Sequence, residues 1–373
     1  MSKILSDIAF YVKDKISAIE CDEYNFISTD NMLVEKRGIT KSDYVPKNGF
    51  VCGYKKGDVL ISNIRPYFKK IWLAEFDGGC SNDILVLRPK ENYSSEFLYS
   101  LLSQDDFFRY VMQGATGSKM PRGDKNHIMR FKFELPKNYN EIGKFICLLN
   151  SKIYNNDKMV KEDFEFLIKT YNYYFQKIDN QETVTLNKYL KINGGYTFDS
   201  SNYREGRYYV ITIKNVNDIF VDEYNCDMIN EIPNDIKEHQ KLKIGDLLIS
   251  LTGKTGRLSF VDKENELLNQ RVGIIENLKT YYREYVYCLL NSSYIQSKIQ
   301  SLSTGGNQKN LSPDDLVNVE IDLFPEEKIE EFSNKTKFIL DDLINLGVQN
   351  EYYISLKNKL LPFLMNGQVI IDE

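Results

Sequence analysis

Two stretches of the chain place apolar side chains at the three- and four-residue spacing of an α-helix. The first stretch follows Pro136 and the second follows Pro325, and their apolar positions are Ile146, Leu149, Ile153, Val160, Leu167, Tyr171, Tyr174 and Ile178, and then Ile329, Phe332, Ile339, Leu343, Leu346, Tyr353 and Leu360. This spacing predicts long helices at residues 146–178 and 326–373. A single apolar stripe would stay exposed, so we expect the two helices to pack together as an antiparallel coiled coil.

A continuous apolar run at residues 247–249, inside the stretch GDLLISLTGKTGRLSF, predicts a buried strand. The letters GKT at 253–255 also end a phosphate-binding loop. That loop needs a glycine five positions before the Gly-Lys pair, and this position holds Leu248. The sequence therefore favours a strand, a tight turn and a second strand over a nucleotide-binding loop.

The sequence repeats itself at a constant difference in residue number, so that Gly57 aligns with Gly245. We call this difference the repeat offset. GDVLISNIRPYFKKIWLAEF from Gly57 aligns with GDLLISLTGKTGRLSFVDKE from Gly245, and residues 57–118 share twelve identities with their counterparts. We expect this register to hold without a gap. The sequence thus predicts an α+β protein in which two copies of one globular α/β domain, residues 1–145 and 179–325, are separated by the helices and related by a pseudo-two-fold axis.

Composition narrows the classes of protein to consider. Apolar residues make up 42% of the chain, and no run approaches the roughly 18 apolar residues of a membrane span. The N-terminus has acids among its lysines and does not resemble a secretory signal, so we expect a cytoplasmic protein. Six cysteines without a C-x-x-C pair and only two histidines argue against a metal site and against Ser-His or Cys-His catalysis.

Several segments, in their order along the chain, resemble the specificity subunit of Type I restriction-modification systems. They are the two aligned strand segments, the loops TGSKMPRG and STGGNQKNLS, and the helix ends KTYNYYFQ and LKNKLLPFLMNGQVI. The resemblance covers nearly the whole chain. It implies a non-catalytic subunit in which each globular copy is a target recognition domain that reads one half of a bipartite site on double-stranded DNA, while the helices hold the copies apart.

The same resemblance implies partner proteins. It predicts modification subunits, expected to number two, that methylate adenine, and in full systems also restriction subunits. The cofactor S-adenosylmethionine is then expected in the partner methyltransferase subunit, and we expect no cofactor in this chain.

The two copies differ in charge. Residues 1–145 carry 22 Lys and Arg against 19 Asp and Glu, whereas residues 179–330 carry 17 against 24. Binding to DNA depends on neutralising phosphates. The acidic second copy must therefore concentrate its cations on one face, or bind DNA with the help of partner subunits.

Candidate DNA contacts are the basic and amide side chains beside Gly and Pro in the hairpin tips and in the loops that resemble the family. Arg and Lys can meet phosphate or guanine, and Asn and Gln can pair with adenine. The alternative is that these side chains only solvate loops. The candidates are Arg65, Lys69, Lys70, Lys119, Arg122 and Lys125 in the first copy, and Lys254, Arg257, Asn307, Gln308 and Lys309 in the second.

Candidate partner-binding residues lie near the helix ends, where the helices are expected to expose more apolar surface than one stripe needs. An aromatic group there can also stack on single-stranded nucleic acid, but its helical spacing favours packing in a core or against a subunit. These candidates are Tyr171, Tyr174, Phe175, Phe363 and Leu364.

A second hypothesis is a self-sufficient enzyme, such as a nuclease, built on the duplicated scaffold. Asp58 and Asp246 recur at equivalent positions and could form part of an acidic active site. Each of them follows a glycine at a strand entrance, where an aspartate commonly accepts hydrogen bonds from nearby backbone N–H groups. The sequence therefore favours a structural role for both.

Overall fold

A computed structural model describes residues 2–176, 182–217, 219–223, 226–303 and 309–371 of the chain. These residues divide into two units. The first unit comprises Met1–Lys152 and Tyr353–Glu373, and the second comprises Ile153–Tyr352. Each unit contains one globular copy of the repeat together with a part of each long helix.

The first copy and the first long helix form the elements up to residue 174. These elements are β1 (Ser2–Ile4), α1 (Leu5–Ile8), β2 (Ala9–Tyr11), β3 (Lys15–Ser17), β4 (Phe26–Ile27), β5 (Phe50–Tyr54), β6 (Val59–Ser62), β7 (Ile71–Leu73), β8 (Gly78–Cys80), β9 (Ile84–Pro89), α2 (Ser95–Leu102), α3 (Asp105–Gln113), α4 (Lys125–Ile128), β10 (Lys132–Glu134) and α5 (Tyr139–Tyr174).

The second copy and the second long helix follow a similar succession, without a counterpart of α1 and with one strand fewer before the hairpin. Their elements are β11 (Thr183–Thr185), β12 (Leu190–Gly194), β13 (Tyr208–Ile211), β14 (Asp227–Ile229), β15 (Leu247–Ser250), β16 (Leu258–Phe260), β17 (Glu266–Leu268), β18 (Val272–Asn277), α6 (Arg283–Asn291), α7 (Ser293–Leu302), α8 (Pro313–Val317), β19 (Glu320–Asp322) and α9 (Glu326–Met365). The predicted α+β class is confirmed.

The main sheets of the two copies match strand by strand. The main sheet has the strand order β2-β9-β6-β7 in the first copy and β12-β18-β15-β16 in the second. A second sheet has the order β3-β5-β8-β4 in the first copy and β14-β13-β17 in the second, and small pairs join β1 to β10 and β11 to β19. Strands β6 and β15 are buried along their whole length, which explains their unbroken apolar sequence.

The repeat offset relates most elements of the two copies. Strands β6 and β15, β8 and β17, and β9 and β18 begin one repeat offset apart. The predicted absence of a gap is wrong within the hairpin. Val59 pairs with Leu73, fourteen positions later, whereas Leu247 pairs with Phe260, thirteen positions later. The second hairpin is one residue shorter, and one extra residue between β16 and β17 restores the offset.

The N-terminal strands extend the repeat beyond the segment in which sequence identity is detectable. Strand β1 pairs with β10 so that Ser2 faces Glu134, and β11 pairs with β19 so that Thr183 faces Asp322. Strands β2 and β12 likewise pair with the equivalent strands β9 and β18. The whole domain is therefore duplicated.

The two long helices run antiparallel within each unit. In the second unit, the Asn350 side-chain amide donates to Asp157 at 2.7 Å, and the Tyr174 hydroxyl donates to Glu331 at 3.2 Å. In the first unit, Lys357 Nζ donates to Asn150 Oδ1 at 2.8 Å. Position numbers rise along α5 as they fall along α9. Buried apolar side chains of both helices fill the cores around these contacts.

The helices differ from the predicted segments at their ends. Helix α5 begins at Tyr139, before the predicted start at 146, because the chain can turn helical soon after Pro136 and the buried Ile142 continues the apolar stripe toward the N-terminus. The last predicted position of its stripe, Ile178, lies outside the described residues. Helix α9 ends at Met365. Among the described residues, neither these helices nor the shorter ones combine the length and hydropathy needed to cross a membrane.

Candidate nucleic-acid interface

Two segments of the first copy that are far apart in sequence meet at the tip of the β6–β7 hairpin. The Arg65 N–H donates to the Pro121 carbonyl at 2.8 Å, and the Gly123 N–H donates to the Asn63 carbonyl at 3.2 Å. We call residues 63–70 and 116–125 together the first tip site. The structure thus brings together the hairpin and loop residues that the sequence indicated separately.

The second copy builds the same arrangement with different side chains. The Gly253 N–H donates to the Lys309 carbonyl at 2.8 Å, and the Leu311 N–H donates to the Leu251 carbonyl at 2.8 Å. All four positions lie one repeat offset after their counterparts in the first copy. Residues 251–257 and 309–313 form the second tip site. The predicted residues Asn307 and Gln308 lie outside the described residues.

A serine and unusual backbone angles shape each turn. Ser62 Oγ donates to the Ile64 carbonyl at 3.1 Å, and Ser250 Oγ donates to the Lys254 carbonyl at 2.6 Å. Arg65 adopts the left-handed region with φ of 49°, directly before Pro66. In the second turn, glycines 253 and 256 adopt positive φ. Gly256 also has no room for a side chain, because a Cβ there would lie 2.7 Å from Ile299. The turn is fixed by the backbone, and its side chains are free to differ.

Two predicted DNA contacts of the first tip site are already engaged inside the domain. Lys69 Nζ lies 3.3 Å from a Glu35 oxygen and 3.2 Å from an Asp105 oxygen. Lys70 Nζ donates to the Thr29 carbonyl at 2.6 Å, and burial lowers the pKa of this amine. Both lysines hold the hairpin against neighbouring loops, so they are poorly placed to meet DNA phosphates.

The other predicted cations of the first tip site face outward to different degrees. Lys119, Arg122 and Lys125 are exposed, and Arg122 Nη2 lies 2.9 Å from an Asp83 oxygen. Arg65 is half-buried, and its Nε has no hydrogen-bond acceptor among the residues that the structure describes. A guanidinium N–H without a partner is costly in a buried place. Arg65 is therefore the strongest candidate for a group that completes its hydrogen bonds on a ligand.

The predicted cations of the second tip site are less restrained. Lys254 is exposed at the turn. The Arg257 guanidinium donates to the Asn217 side chain, and Lys309 Nζ donates to Gln300 Oε1 at 3.1 Å. These partners are neutral amides, which position a cation without cancelling its charge. The second tip site is therefore basic although its domain is acidic.

Sequence reasoning missed Arg271, an exposed cation beside the second tip site. The Leu251 N–H donates to the Arg271 carbonyl at 3.0 Å, and the equivalent bond in the first copy joins Asn63 to Asp83 at 2.8 Å. The alignment at the repeat offset already places Arg271 opposite Asp83, and this was the signal that could have found it. The first copy therefore has an acid where the second copy has a base.

The paired aspartates behave as turn residues. The Lys55 N–H donates to Asp58 Oδ2 at 2.8 Å, and the Lys243 N–H donates to Asp246 Oδ2 at 2.8 Å. Asp58 also accepts two hydrogen bonds from the Arg88 guanidinium, at 2.7 and 2.8 Å. The structural interpretation of both acids is confirmed, since each carboxylate accepts a backbone hydrogen bond in its own turn.

The predicted partner-binding residues are mostly internal. Tyr171 and Phe175 are 7% and 8% exposed, and Phe175 packs on Tyr285, Phe324 and Phe332 with ring centroids about 5 Å apart. The expected exposure of Tyr171, Phe175 and Leu364 is wrong, because the domain core and the partner helix cover one aromatic face. Tyr174 is half-buried, and Phe363 is 48% exposed.

Comparisons with known proteins agree with this architecture. Residues 178–353 match the family model of the Type I restriction modification DNA specificity domain. The chain is 24% identical over 410 aligned positions to the Type I restriction enzyme MjaVIII specificity subunit of Methanocaldococcus jannaschii, with 99% of this chain and 92% of that protein covered.

A solved structure shares the fold. The crystal structure of a Type I restriction-modification S subunit from M. genitalium superposes with a TM-score of 0.57 at 13% identity, covering 100% of this chain and 96% of that one. An HsdS subunit from Thermoanaerobacter tengcongensis matches at 16% identity over 99% of this chain and 97% of that one, with a TM-score of 0.38. Residues 178–353 therefore carry the Type I restriction modification DNA specificity domain, and along its length the chain is similar to the specificity subunit of a Type I restriction enzyme.

Proposed function

We propose that this chain reads DNA for a Type I restriction-modification complex, with each copy recognising one half of a bipartite site. The observation that carries this proposal is the duplication of the tip site. The same backbone hydrogen bonds recur one repeat offset apart, while the side chains they present differ. A shared frame with different side chains is suited to reading two different sequences.

The residues proposed to face DNA follow from exposure and pairing. In the first copy they are Arg65, Lys119, Arg122 and Lys125; in the second they are Lys254, Arg257, Arg271 and Lys309. Lys69 and Lys70 are assigned to the scaffold. Because the side chains at the two sites differ, the two half-sites should also differ.

Partner subunits are part of the proposal. Adenine methylation is assigned to two modification subunits that bind S-adenosylmethionine, with restriction subunits joining in full systems. The charge balance supports this division. Residues 1–145 carry 22 basic against 19 acidic side chains, and residues 179–330 carry 17 against 24, which leaves +3 and −7. A chain of this balance gains DNA affinity from basic partners.

The two aspartates that could have formed a nuclease active site have structural roles instead. Asp58 and Asp246 each bind backbone N–H groups of their own turns, and Asp58 is also paired with Arg88. Both carboxylates are therefore committed to the fold, and the reading role is the one that the duplicated tip sites favour.

Domain exchange tests the proposed function. Replacing residues 1–145 with the same region of a relative should change one half of the methylated motif and leave the other half and its gap unchanged. The reason is that each tip site is built wholly from its own copy. The measurement is methylome sequencing of cells that express the parent or the exchanged gene.

A gene deletion provides the control for this experiment. Deletion should abolish a split adenine-methylated motif, and the parent gene should restore it. A methylome that is unchanged by deletion, or an exchange that alters both half-sites together, would contradict the two-reader proposal.

A partner-binding surface is proposed on the outer face of α5. Met159, Phe166 and Tyr173 are spaced by seven residues and are 44%, 55% and 75% exposed. Seven-residue spacing keeps side chains on one face of a helix over several turns. These three side chains point away from the stripe that includes Leu167 and Tyr171, which is buried in the second unit. The exposed face fits an apolar helix of a modification subunit.

Charge placed on this exposed face should disrupt the complex. Phe166→Glu combined with Tyr173→Glu should give a folded chain that no longer co-purifies with its modification subunit, because two carboxylates would have to be desolvated at the contact. Tyr44→Glu combined with Phe50→Glu is the matched control, since these aromatics are 72% and 76% exposed on the first copy. Loss of the partner in both variants, or in neither, would refute the assignment to α5.

A further inference from the structure

Two cysteines of the first copy face each other across neighbouring strands. Cys52 on β5 pairs directly with Cys80 on β8 in an antiparallel ladder. Directly opposed residues in such ladders have Cα atoms about 4.5 or 5.5 Å apart. Both separations lie within the range of about 4.4–6.8 Å that a disulfide spans. The backbone is therefore already placed for a bond between the two sulfurs.

Both side chains lie on the same face of the sheet. Cys80 is buried in a cluster with Tyr54, Leu60 and Trp72, and Cys52 packs against this cluster. Cys21 is on the other face. A Cβ built on Gly79 would lie 2.5 Å from the Cys21 sulfur, and adjacent residues of a strand point to opposite sides. The sheet therefore separates Cys21 from the Cys52–Cys80 pair.

The two thiols have different surroundings. Cys52 is half-buried and reachable from solvent, whereas Cys80 is fully buried. A hydrogen bond from the Cys80 thiol lowers the pKa of Cys52, and the same bond together with burial raises the pKa of Cys80. Thiolates are the reactive form of cysteine. Cys52 is thus suited to react first, and Cys80 is suited to resolve the product.

We propose that Cys52 and Cys80 form a reversible redox site that hydrogen peroxide converts to an intramolecular disulfide. The Cys52 thiolate attacks one peroxide oxygen, the O–O bond breaks, and the released hydroxide takes up a proton to give water and Cys52 sulfenic acid. The Cys80 sulfur then attacks the Cys52 sulfur, which forms the S–S bond. The hydroxyl of the sulfenic acid leaves with the Cys80 proton as a second water.

The closed disulfide would enclose the first tip site's hairpin. The covalent loop from residue 52 to residue 80 contains β6, the turn at Arg65 and β7. Cross-linking the ends of this segment limits its freedom in the unfolded chain. One repeat offset later, the second copy has Gln240 and Leu268 in place of these cysteines, so it cannot form an equivalent disulfide. Oxidation is expected to stabilise the first unit alone.

Peptide mapping of the full-length protein tests the site. After treatment with hydrogen peroxide and alkylation of free thiols, mass spectrometry should find a peptide that links Cys52 to Cys80 and is lighter by two hydrogens. Dithiothreitol should abolish the link and restore alkylation at both cysteines. The melting temperature of the first unit, followed by Trp72 fluorescence, should rise on oxidation and fall back on reduction.

Variants separate this proposal from general oxidation. Cys21→Ser should form the same linked peptide, and Cys52→Ser should form none and show no peroxide-dependent rise in melting temperature. Cys52 is the residue to replace because it is only half-buried, and circular dichroism of the reduced variant confirms folding. A disulfide to Cys21, or conversion of Cys52 to sulfinic acid without a link to Cys80, would overturn the proposal.

Discussion

Replacing Asp58 with alanine is expected to destabilise the first unit by about 3 kcal/mol, the order found when one partner of a buried ion pair is removed. Asp58 is 1% exposed and accepts hydrogen bonds from the Arg88 guanidinium and from the Lys55 N–H. Without the carboxylate, the Lys55 N–H loses its acceptor, and the Arg88 guanidinium keeps only the longer contact with Asp14 at 3.4 Å. The measurement is urea unfolding followed by the fluorescence of Trp72, the single tryptophan, which lies in the first unit.

The duplicated fold supplies the control for this change. Asp246 holds the equivalent turn through the Lys243 N–H, but Glu276 stands where the first copy has Arg88. Asp246→Ala therefore removes one hydrogen bond and no ion pair, which costs about 1 kcal/mol. It should leave the Trp72 transition unchanged. Equal losses in both variants, or a DNA-cleaving activity that only Asp58→Ala abolishes in a folded protein, would contradict the structural role.

The repeat was predictable because the features it preserves are backbone features. Strands β6 and β15 need apolar side chains on both faces, and the turn before each needs Gly and Asp, so Gly57-Asp58 and Gly245-Asp246 remain alike. The one-residue difference in the hairpins was not predictable from identities. It lies in the turn, which uses Arg65-Pro66 in the first copy and the glycines 253 and 256 in the second. These different residues connect equivalent pairs of strands.

The tip sites could be predicted only in part. The sequence indicated the hairpin cations and the loop cations, and the structure joins them through backbone hydrogen bonds between Arg65 and Pro121 and between Gly253 and Lys309. It did not indicate that Lys69 lies between Glu35 and Asp105. Such pairing depends on contacts between segments distant in sequence, which charge counts do not contain.

Helical periodicity located the long helices but not which aromatic side chains they expose. Tyr171 and Tyr173 are close in sequence, yet Tyr171 is 7% exposed and Tyr173 is 75% exposed. The difference arises because Phe332 of the partner helix and Tyr285 of the domain cover one face of α5. The periodic pattern of apolar residues identifies the face of α5 that packs on the other helix. It does not identify the face that packs on a globular domain.

A group of buried carboxyls makes the second unit less stable as the pH rises through neutrality. Glu266 is 1% exposed and Asp262 is 6% exposed. Burial, followed by the nearby Glu223 and Glu351, raises the pKa of Asp262 to about 8. Burial, followed by the nearby Glu223 and Asp262 carboxyls, raises the pKa of Glu266. Lys263 lies beside the group and is paired with Glu351 at 3.3 Å.

The direction of the pH effect follows from these shifts. In the unfolded chain, Asp and Glu titrate near pH 4, roughly. Their pKa values are higher in the folded chain, so the folded state binds more protons at neutral pH. The stability these groups contribute is complete below about pH 4 and is lost as the pH rises toward the folded pKa values. For each proton that the folded state retains, the free energy of unfolding falls by about 1.4 kcal/mol per pH unit in this window.

Glu266→Gln is expected to remove part of this loss, because a neutral amide of the same shape needs no proton, whereas Asp262 still retains one. Between pH 6 and pH 8, the free energy of unfolding of the second unit should fall by at least about 3 kcal/mol in the parent, and by clearly less in the variant. Urea unfolding followed by circular dichroism at pH 6, 7 and 8 measures both slopes. Glu264→Gln, at an exposed position, is the matched control and should keep the parent slope. If Glu266→Gln also kept the parent slope, the carboxyls would be ionised in the folded protein, and the proposed retention of protons would be wrong.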